Sequence, residues 1–479
     1  MREDYEAVIG LEVHAQLLTK SKIFCSCKNE YGAEPNTNTC PVCLGMPGVL
    51  PVLNKKAVEY AIKMGLATNC KIRNFSRFAR KNYFYPDLPK GYQISQYDEP
   101  LCYNGYIEIR NGDQTKKIRI KRIHLEEDAG KSIHVHGKHD YTLVDYNRCG
   151  VPLIEIVTEP DIRSPQEAYL YLTKIKQILE YLEICDCNME EGSLRCDANI
   201  SVRKKGETKF GTKTEMKNMN SFRGVEKALE YEINRQIEII EDGGKVLQQT
   251  LLWDEDKNRA RVMRTKEEAE DYRYFPEPDL VPLKVDQKWI DELRDTLPEL
   301  PVEKFRRFKE TYGLRDYDIE ILTGDKYLAE YYEETVKHIN DPVIASKWIQ
   351  SELLRVLKEK ETGITGIKLR PKTFAELLKL VKDGTITGNV GKEIFNQIID
   401  TDESPAEIVK KKGLTQVSDE KELERIVQEV LSENPNEVER YKAGKKNLLG
   451  FFMGQVMKKT RGKANPKLAS DLLKKHLEG

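Results

Sequence analysis

Three short stretches place carboxylates where a strand would carry apolar residues: Gly10-Leu-Glu12-Val-His14, His124-Leu-Glu126-Glu127-Asp128-Ala-Gly-Lys131 and Leu153-Ile-Glu155-Ile-Val157. A carboxylate in a half-buried strand is costly unless a cation or hydrogen bonds compensate it. Strands of this kind converging on one cleft would make an oxygen-rich cage with one imidazole. That donor set suits Mg²⁺ or Mn²⁺ and points to metal-assisted chemistry on phosphate. Taken singly, each carboxylate reads equally well as an edge-strand charge in water or paired with a lysine; three together favour the site. In the first stretch Ile9, Leu11, Val13 and Ala15 alternate with Glu12, His14 and Gln16, so Glu12 and His14 share a face. In the second, Ile118 and Ile120 are out of phase with Ile123 and Leu125, which predicts a bulge or turn near Lys121 and Arg122. Spacing alone leaves open whether Glu126 or Glu127 faces the site.

A second constellation is made of thiols. Four of the 10 cysteines form Cys25-Ser-Cys27 and Cys40-Pro-Val-Cys43, separated by a loop containing Gly32, Pro35 and Asn36. Two thiol pairs brought together by a loop fit a structural zinc tetrahedron, although the first pair is C-x-C rather than C-x-x-C. Cys70, Cys102, Cys149, Cys185, Cys187 and Cys196 read as small buried hydrophobes. Gly130-Lys-Ser132 is superficially like a phosphate-binding loop, but the position five before Gly130 is Leu125, so the phosphate-cradling glycine is missing.

These residues need a scaffold of some size, and 479 residues give material for about three domains. Lysine and arginine (78) cancel aspartate and glutamate (79), so the net charge of -1 advertises neither a nucleic-acid nor a membrane partner. The charged N-terminus has no signal-peptide core and no apolar run is long enough to span a bilayer, which sets the expectation of a cytoplasmic protein. Residues 1 to 292 alternate strand-like runs with occasional helices such as Pro165–Tyr181, where Ala168, Leu172, Ile175 and Leu179 repeat at helical spacing. The order is not a strict strand-helix alternation, so an α+β domain with a largely antiparallel sheet is expected. Residues 293 to 406 turn helical, and 407 to 479 form a small C-terminal helical unit. From Ala443 to Gly479 there are nine Lys or Arg against two acids. Leu448, Leu449, Phe452 and Val456 form one helix face there and leave Lys445, Lys446, Lys458, Lys459, Arg461 and Lys463 to solvent.

The densest text runs from Arg80 to Asp98, with two prolines, four tyrosines and three cations and too little periodicity for a regular element; such loops usually line sites. Together with His124–Lys131, Asp145-Tyr-Asn-Arg148, Pro152–Val157, Glu190–Asn199, Lys217–Phe222 and Tyr272–Asp279, in that order, it resembles the B subunits of bacterial heterotrimeric aspartyl/glutamyl-tRNA amidotransferases, the GatB family. The likeness runs nearly end to end. It implies a cradle-like catalytic domain akin to glutamine synthetase followed by all-α helical and tRNA-binding tail domains. The implied reaction is phosphorylation of the side-chain carboxylate of Glu-tRNA(Gln) or Asp-tRNA(Asn) by ATP, then displacement of phosphate by ammonia. The implied metal site is His14, Glu127 and Glu155 holding Mg²⁺, with Glu12 and Glu126 in support. Arg80, Lys81 and Arg195 are then the expected contacts to phosphate or carboxylate, and Lys90 and Tyr83 those to ATP. The ammonia must come from elsewhere, because no amidase signature and no Cys-His glutaminase arrangement is present; Cys149 is the only tempting thiol. In the family the amidase, or A, chain of the heterotrimer supplies it through a channel, and a small third chain, C, clamps the assembly.

Two other classes share parts of this pattern. A metal-dependent nuclease would use the acidic strands and basic tail but not the Tyr/Pro loop. A zinc-ribbon RNA-binding module would use Cys25 to Cys43 and the tail but leave Glu127 and Glu155 idle. ATP turnover that depends on mischarged tRNA separates both from the amidotransferase.

Overall fold

Strand β1 (Tyr5–Gln16) lies in the middle of a nine-stranded sheet, and its alternation decides what each face is made of. Ala7, Ile9, Leu11, Val13 and Ala15 are fully buried on one face, while Glu12, His14 and Gln16 face the other way, as period two requires. The computed structural model describes residues 4–112, 114–134, 141–265, 272–414, 420–460, 462 and 464–478. The remaining strands of the sheet are β2 (Lys71–Ile72), β3 (Cys102–Asn111), β4 (Gln114–Glu127), β5 (Pro152–Thr158), β6 (Leu194–Lys204), β7 (Thr214–Met219), β8 (Gln249–Asp254) and β9 (Arg259–Thr265). Their spatial order is β9-β8-β7-β6-β1-β5-β4-β3-β2. All neighbours are antiparallel except β7 and β8, which are joined through a helix as a parallel crossover must be. The expected α+β class with a mainly antiparallel sheet is what the chain forms.

Helices α1 (Lys55–Ala67), α2 (Pro165–Tyr181) and α3 (Phe222–Glu241) bury their apolar stripes in the core under one face. Helix α2 has the predicted limits because Ser164 accepts a hydrogen bond from the Glu167 N–H and Pro165 fills the first turn. The predicted irregularity in β4 is a bulge: Val157 pairs with Arg122 but Thr158 pairs with Ile120, leaving Lys121 as the extra residue. The Arg80–Asp98 stretch is more regular than expected. Ala79–Asn82 and Tyr92–Ser95 pair with each other, and the distant Phe275–Pro276 adds a third strand. A partner almost two hundred residues away is invisible to local periodicity.

The chain divides into two compact units at Pro301 and Val302, not at 292. Helix α4 (Gln287–Asp295) is the reason, since Ile290 and Leu293 are buried in the core of the sheet unit. The second unit is helical and holds two hydrophobic cores, one from Phe308 to Val409 and one from Leu423 to Leu477. Local chemistry explains its punctuation. Asn340 takes the left-handed conformation that ends the helix Lys326–Ile339, and Asp341 followed by Pro342 starts the next. That next helix runs through a π turn at Ile349–Leu353 before ending at Glu359. In the last core Phe452 and Val456 are fully buried, with Leu448 and Leu449 packed alongside, as the periodicity predicts. Arg461 and Lys463 lie outside the described residues. No described helix is long and apolar enough to cross a membrane.

Candidate active site

The polar face of the sheet is built by register. His14 on β1 lies opposite Arg195 of β6 on one side and Glu155 of β5 on the other, and Glu155 lies opposite His124 of β4. One rung further along β1, Glu12 lies opposite Asp197 and Val157. These rungs floor a cleft of about 450 Å³ that Lys81, Arg122, Lys217, Tyr272 and Tyr274 help to line.

His14, Glu126 and Glu155 present one donor atom each within 4.8 Å of one another. His14 Nε2 is 3.7 Å from Glu126 Oε1 and 3.8 Å from Glu155 Oε2. Octahedral ligands at magnesium distances would be separated by about 3 Å when adjacent and about 4 Å when opposite, so the triad brackets the space that such an ion needs. Behind it, His124 Nε2 approaches Glu155 at 3.2 Å and Glu126 at 3.5 Å. Arg122 Nε lies 3.3 Å from His124 Nδ1; burial disfavours the imidazolium, but the Glu155 and Glu126 carboxylates outweigh it and raise His124 to about 9. Burial opposes the ionised form of Glu155, but His124, His14 and Arg122 overcome it and hold its carboxyl below the usual range. Glu12, hydrogen-bonded by Asn199 Nδ2 (3.0 Å), is shifted the other way by burial and by the charges of Glu155 and Asp197.

Glu127, the carboxylate that the family resemblance assigns to the metal, is not in this triad; Glu126 takes the place. Adjacent strand residues point to opposite faces. With Leu125 fully buried, His124 and Glu126 share the cleft face and Glu127 is turned away. Glu127 Oε1 instead accepts from the Ile94 N–H (2.9 Å) and forms a buried ion pair with Lys90. Lys90 therefore sits on the opposite side of the strand from the triad, in a pocket that also reaches Cys25 and Cys43.

The other expected residues divide by whether their donors are already used. Lys81 lies over the rings of Tyr272 (4.7 Å) and Tyr83 (5.6 Å) and forms no described ion pair, so its charge is open to the cleft. Tyr83 is packed edge-on to Tyr272 at 6.0 Å and forms part of an aromatic roof with it. Arg195 is tethered to Asp128 (3.1 Å), a carboxylate that also accepts from Gln16 (2.7 Å). Burial disfavours the charge on Asp128, and the Arg195 and Arg148 guanidiniums outweigh it and lower its pKa. Arg80 is the most committed. Its Nε and Nη2 fork onto Glu277 (2.7 and 2.9 Å), Nη2 also meets Asp279 (3.0 Å), and the guanidinium stacks on Tyr92 at 4.1 Å. It holds the Tyr272–Asp279 segment over the cleft. Because Glu277 is buried, Arg80→Met should cost about 3 kcal/mol, read as a lower denaturant midpoint. Adding Glu277→Gln, which removes the stranded charge, should recover part of that loss. No recovery would mean that Arg80 acts on something other than Glu277.

Residues that sequence reasoning did not assign include His124, Arg122, Asp197, Glu215 and Lys217. Lys217 is clasped between Asp197 and Glu215. The signal was there for Asp197, which precedes Asn199 and Ser201 at spacing two in a strand whose even positions from Leu194 to Val202 are apolar.

The four thiols do converge: Cys25, Cys27, Cys40 and Cys43 each offer sulfur within 4.8 Å of the others. A hydrogen bond from Cys25, helped by the Cys40 N–H and Lys22, outweighs burial and lowers Cys43 to about 5. Lys22 is fully buried with Nζ 2.7 Å from the Asn38 carbonyl oxygen and 3.7 Å from Cys43 Sγ. The loop is pinned to the next segment by Asn36 N–H to Asp145 (3.0 Å) and Asn38 N–H to Asn147 (2.8 Å). Burial pushes the Cys149 thiol up to about 12, which removes the thiolate a nucleophile needs.

A sheet face that gathers a metal-type triad, an open lysine and an aromatic roof is organised as an enzyme site. Residues 7–291 match the family described as the GatB/GatE catalytic domain, and residues 330–477 match that described as the GatB domain. The chain belongs to the GatB family of amidotransferase subunits. It is 60% identical over 474 residues, 99% of each chain, to the B subunit of the aspartyl/glutamyl-tRNA(Asn/Gln) amidotransferase of Thermodesulfovibrio yellowstonii. Proteins of the same name from Caldanaerobacter subterraneus subsp. tengcongensis and Persephonella marina are 58% and 56% identical, covering 99% of this chain and 99% and 100% of theirs.

Proposed function

We propose that this chain activates the side-chain carboxylate of Glu-tRNA(Gln) or Asp-tRNA(Asn) with ATP and amidates it with ammonia released by a partner amidase. The carrying observation is the His14, Glu126 and Glu155 triad beside the uncommitted Lys81. A carboxylate is a poor electrophile until one of its oxygens becomes a leaving group. In the first step a substrate carboxylate oxygen attacks the γ-phosphorus, the bond to the bridging oxygen breaks and ADP leaves. In the second, ammonia attacks the acyl carbon, the carbon–oxygen bond to phosphate breaks, phosphate departs and a proton is released.

A magnesium ion held by His14, Glu126 and Glu155 would supply a Lewis acid that draws charge from phosphate oxygens. Lys81 adds a positive charge aimed at the transferring group, whereas the charge of Lys217 is already matched by Asp197 and Glu215. The Tyr83, Tyr272 and Tyr274 roof keeps water from an acyl phosphate. The amidase, the small clamping chain and the tRNA complete the reading as partners. The test is ADP formation by the assembled complex given ATP and mischarged tRNA. RNA cleavage with Mg²⁺ alone would favour a nuclease instead.

Zinc in the Cys25, Cys27, Cys40 and Cys43 cage would staple the loop to Asp145 and Asn147, away from the reacting atoms. Cys40→Ser should then lose one equivalent of zinc and several degrees of thermal midpoint, on the scale of about 2–4 °C per kcal/mol, with activity retained at moderate temperature. Loss of ADP formation in a protein that is still folded would contradict a purely structural cage.

A further inference from the structure

Lys22 is fully buried, yet among the described residues no carboxylate pairs with it. Other deep lysines are answered: Lys304 has Glu333 at 3.0 Å, and Lys90 has Glu127. An ammonium taken out of water is costly unless an anion lies beside it, so the counter-charge of Lys22 must come from another kind of group. Its Nζ meets the Asn38 carbonyl oxygen (2.7 Å) and Cys43 Sγ (3.7 Å). A carbonyl oxygen accepts a hydrogen bond but carries no net charge, whereas a metal-bound thiolate does. The sulfurs fit such an ion. Zinc–sulfur bonds of about 2.3 Å at tetrahedral angles separate the sulfurs by about 3.8 Å; Cys40 and Cys43 Sγ are 3.9 Å apart, and all four sulfurs lie within 4.8 Å of one another. Four thiolates around a divalent ion leave two negative charges over. Lys22 also joins the two halves of the cage. Its backbone N–H donates to the Cys27 carbonyl oxygen (3.0 Å) and closes the turn that carries the first thiol pair, while its side chain reaches across to the second. Cys43, whose sulfur also accepts from the Cys40 N–H (3.1 Å), is the buried member of the four.

We propose that Lys22 is the counter-ion of the metal–thiolate cage: its ammonium offsets part of the negative charge of zinc bound by Cys25, Cys27, Cys40 and Cys43 and, through Cys43, strengthens the hold on the ion. The inference rests on the zinc reading above and adds to it a residue that does not touch the metal. Without Lys22 the charge of the cage is left to backbone N–H groups alone, so the cost of losing it falls on the zinc-loaded protein.

Lys22→Met keeps the length of the side chain and deletes its charge; Lys22→Gln deletes the charge but keeps an N–H donor for the Asn38 carbonyl. Zinc affinity of the full chain is measured by competition with a chromophoric chelator, thermal midpoints are taken with zinc and after chelation, and Co²⁺ replaces zinc for absorption spectra. Both variants should bind zinc about 10–100-fold more weakly, lose thermal midpoint when zinc-loaded, and keep the wild-type midpoint once chelated. The sulfur-to-cobalt charge-transfer band should move to lower energy, because a cation beside a thiolate stabilises the electrons that the transition takes from sulfur. In a Cys40→Ser background, where the cage is incomplete, Lys22→Met should cost no further stability. Equal losses of midpoint with and without zinc, or an unmoved band, make Lys22 a packing residue and overturn the proposal. Wild-type affinity in Lys22→Gln overturns it too, since the hydrogen bond and not the charge would then be what holds the ion. If wild type itself binds no zinc, the cage reading falls and the counter-ion with it; if wild type binds zinc and both variants bind it equally well, only the counter-ion falls.

Discussion

Glu126→Gln and Glu155→Gln should each lower ADP release with mischarged tRNA by about 10²–10³-fold or more, while basal glutamine hydrolysis by the partner amidase persists. Both substitutions keep the shape of the side chain and delete the charge from an atom that faces His14 at 3.7 or 3.8 Å. Glu127→Gln is the informative contrast. It removes the partner of buried Lys90 but leaves the triad intact, so ADP release should stay within about tenfold of wild type while stability falls by about 3 kcal/mol or more. A split assay on the reconstituted complex reads ADP and glutamate separately. If Glu127→Gln stops ADP formation and Glu126→Gln does not, the donor set is the one the family resemblance suggested, and the geometric triad is wrong.

That contrast also marks where the sequence stops being legible. Alternation placed Glu12 and His14 together because one phase of β1 is wholly apolar, and it located the β4 bulge because two isoleucine pairs fall out of phase. It left Glu126 and Glu127 unresolved because bulges reset the phase. The missing constraint was Leu125: once it is core, His124 and Glu126 must face the cleft. The four-thiol convergence was readable because a short loop closes it. The Arg80 fork was not, since Glu277 and Asp279 are almost two hundred residues away and a guanidinium that binds phosphate looks the same in sequence as one that binds carboxylates. That the compact sheet unit continues to Pro301 was illegible for a similar reason. Helix α4 has the same texture as the helices of the second unit, but its Ile290 and Leu293 are buried in the core of the sheet unit.

The basic tail yields the second large effect. Removing everything after Leu414 should raise KM for aminoacyl-tRNA about tenfold or more at physiological salt, leave kcat within about twofold, and flatten the salt dependence of binding. The cut falls there, because Ile408 and Val409 are buried in the preceding helical core and Leu414 packs against it, whereas the last core begins at Leu423. The charge of the tail is less one-sided than Ala443 to Gly479 alone suggests. Residues 420–442 carry seven acids against four bases, and Lys446, Lys459 and Lys475 are paired with Glu478, with Glu429 and Glu433, and with Glu424. Lys445, Lys458, Lys467 and Lys474 form no described ion pair and are exposed. Four phosphate contacts release about three counterions, so the slope of log affinity against log salt should flatten by about 3. A binding titration at several salt concentrations gives the slopes for the full and truncated chains. Equal slopes would take the tail off the tRNA surface, whereas a flattened slope with unchanged kcat assigns it to binding alone and leaves the chemistry with the sheet.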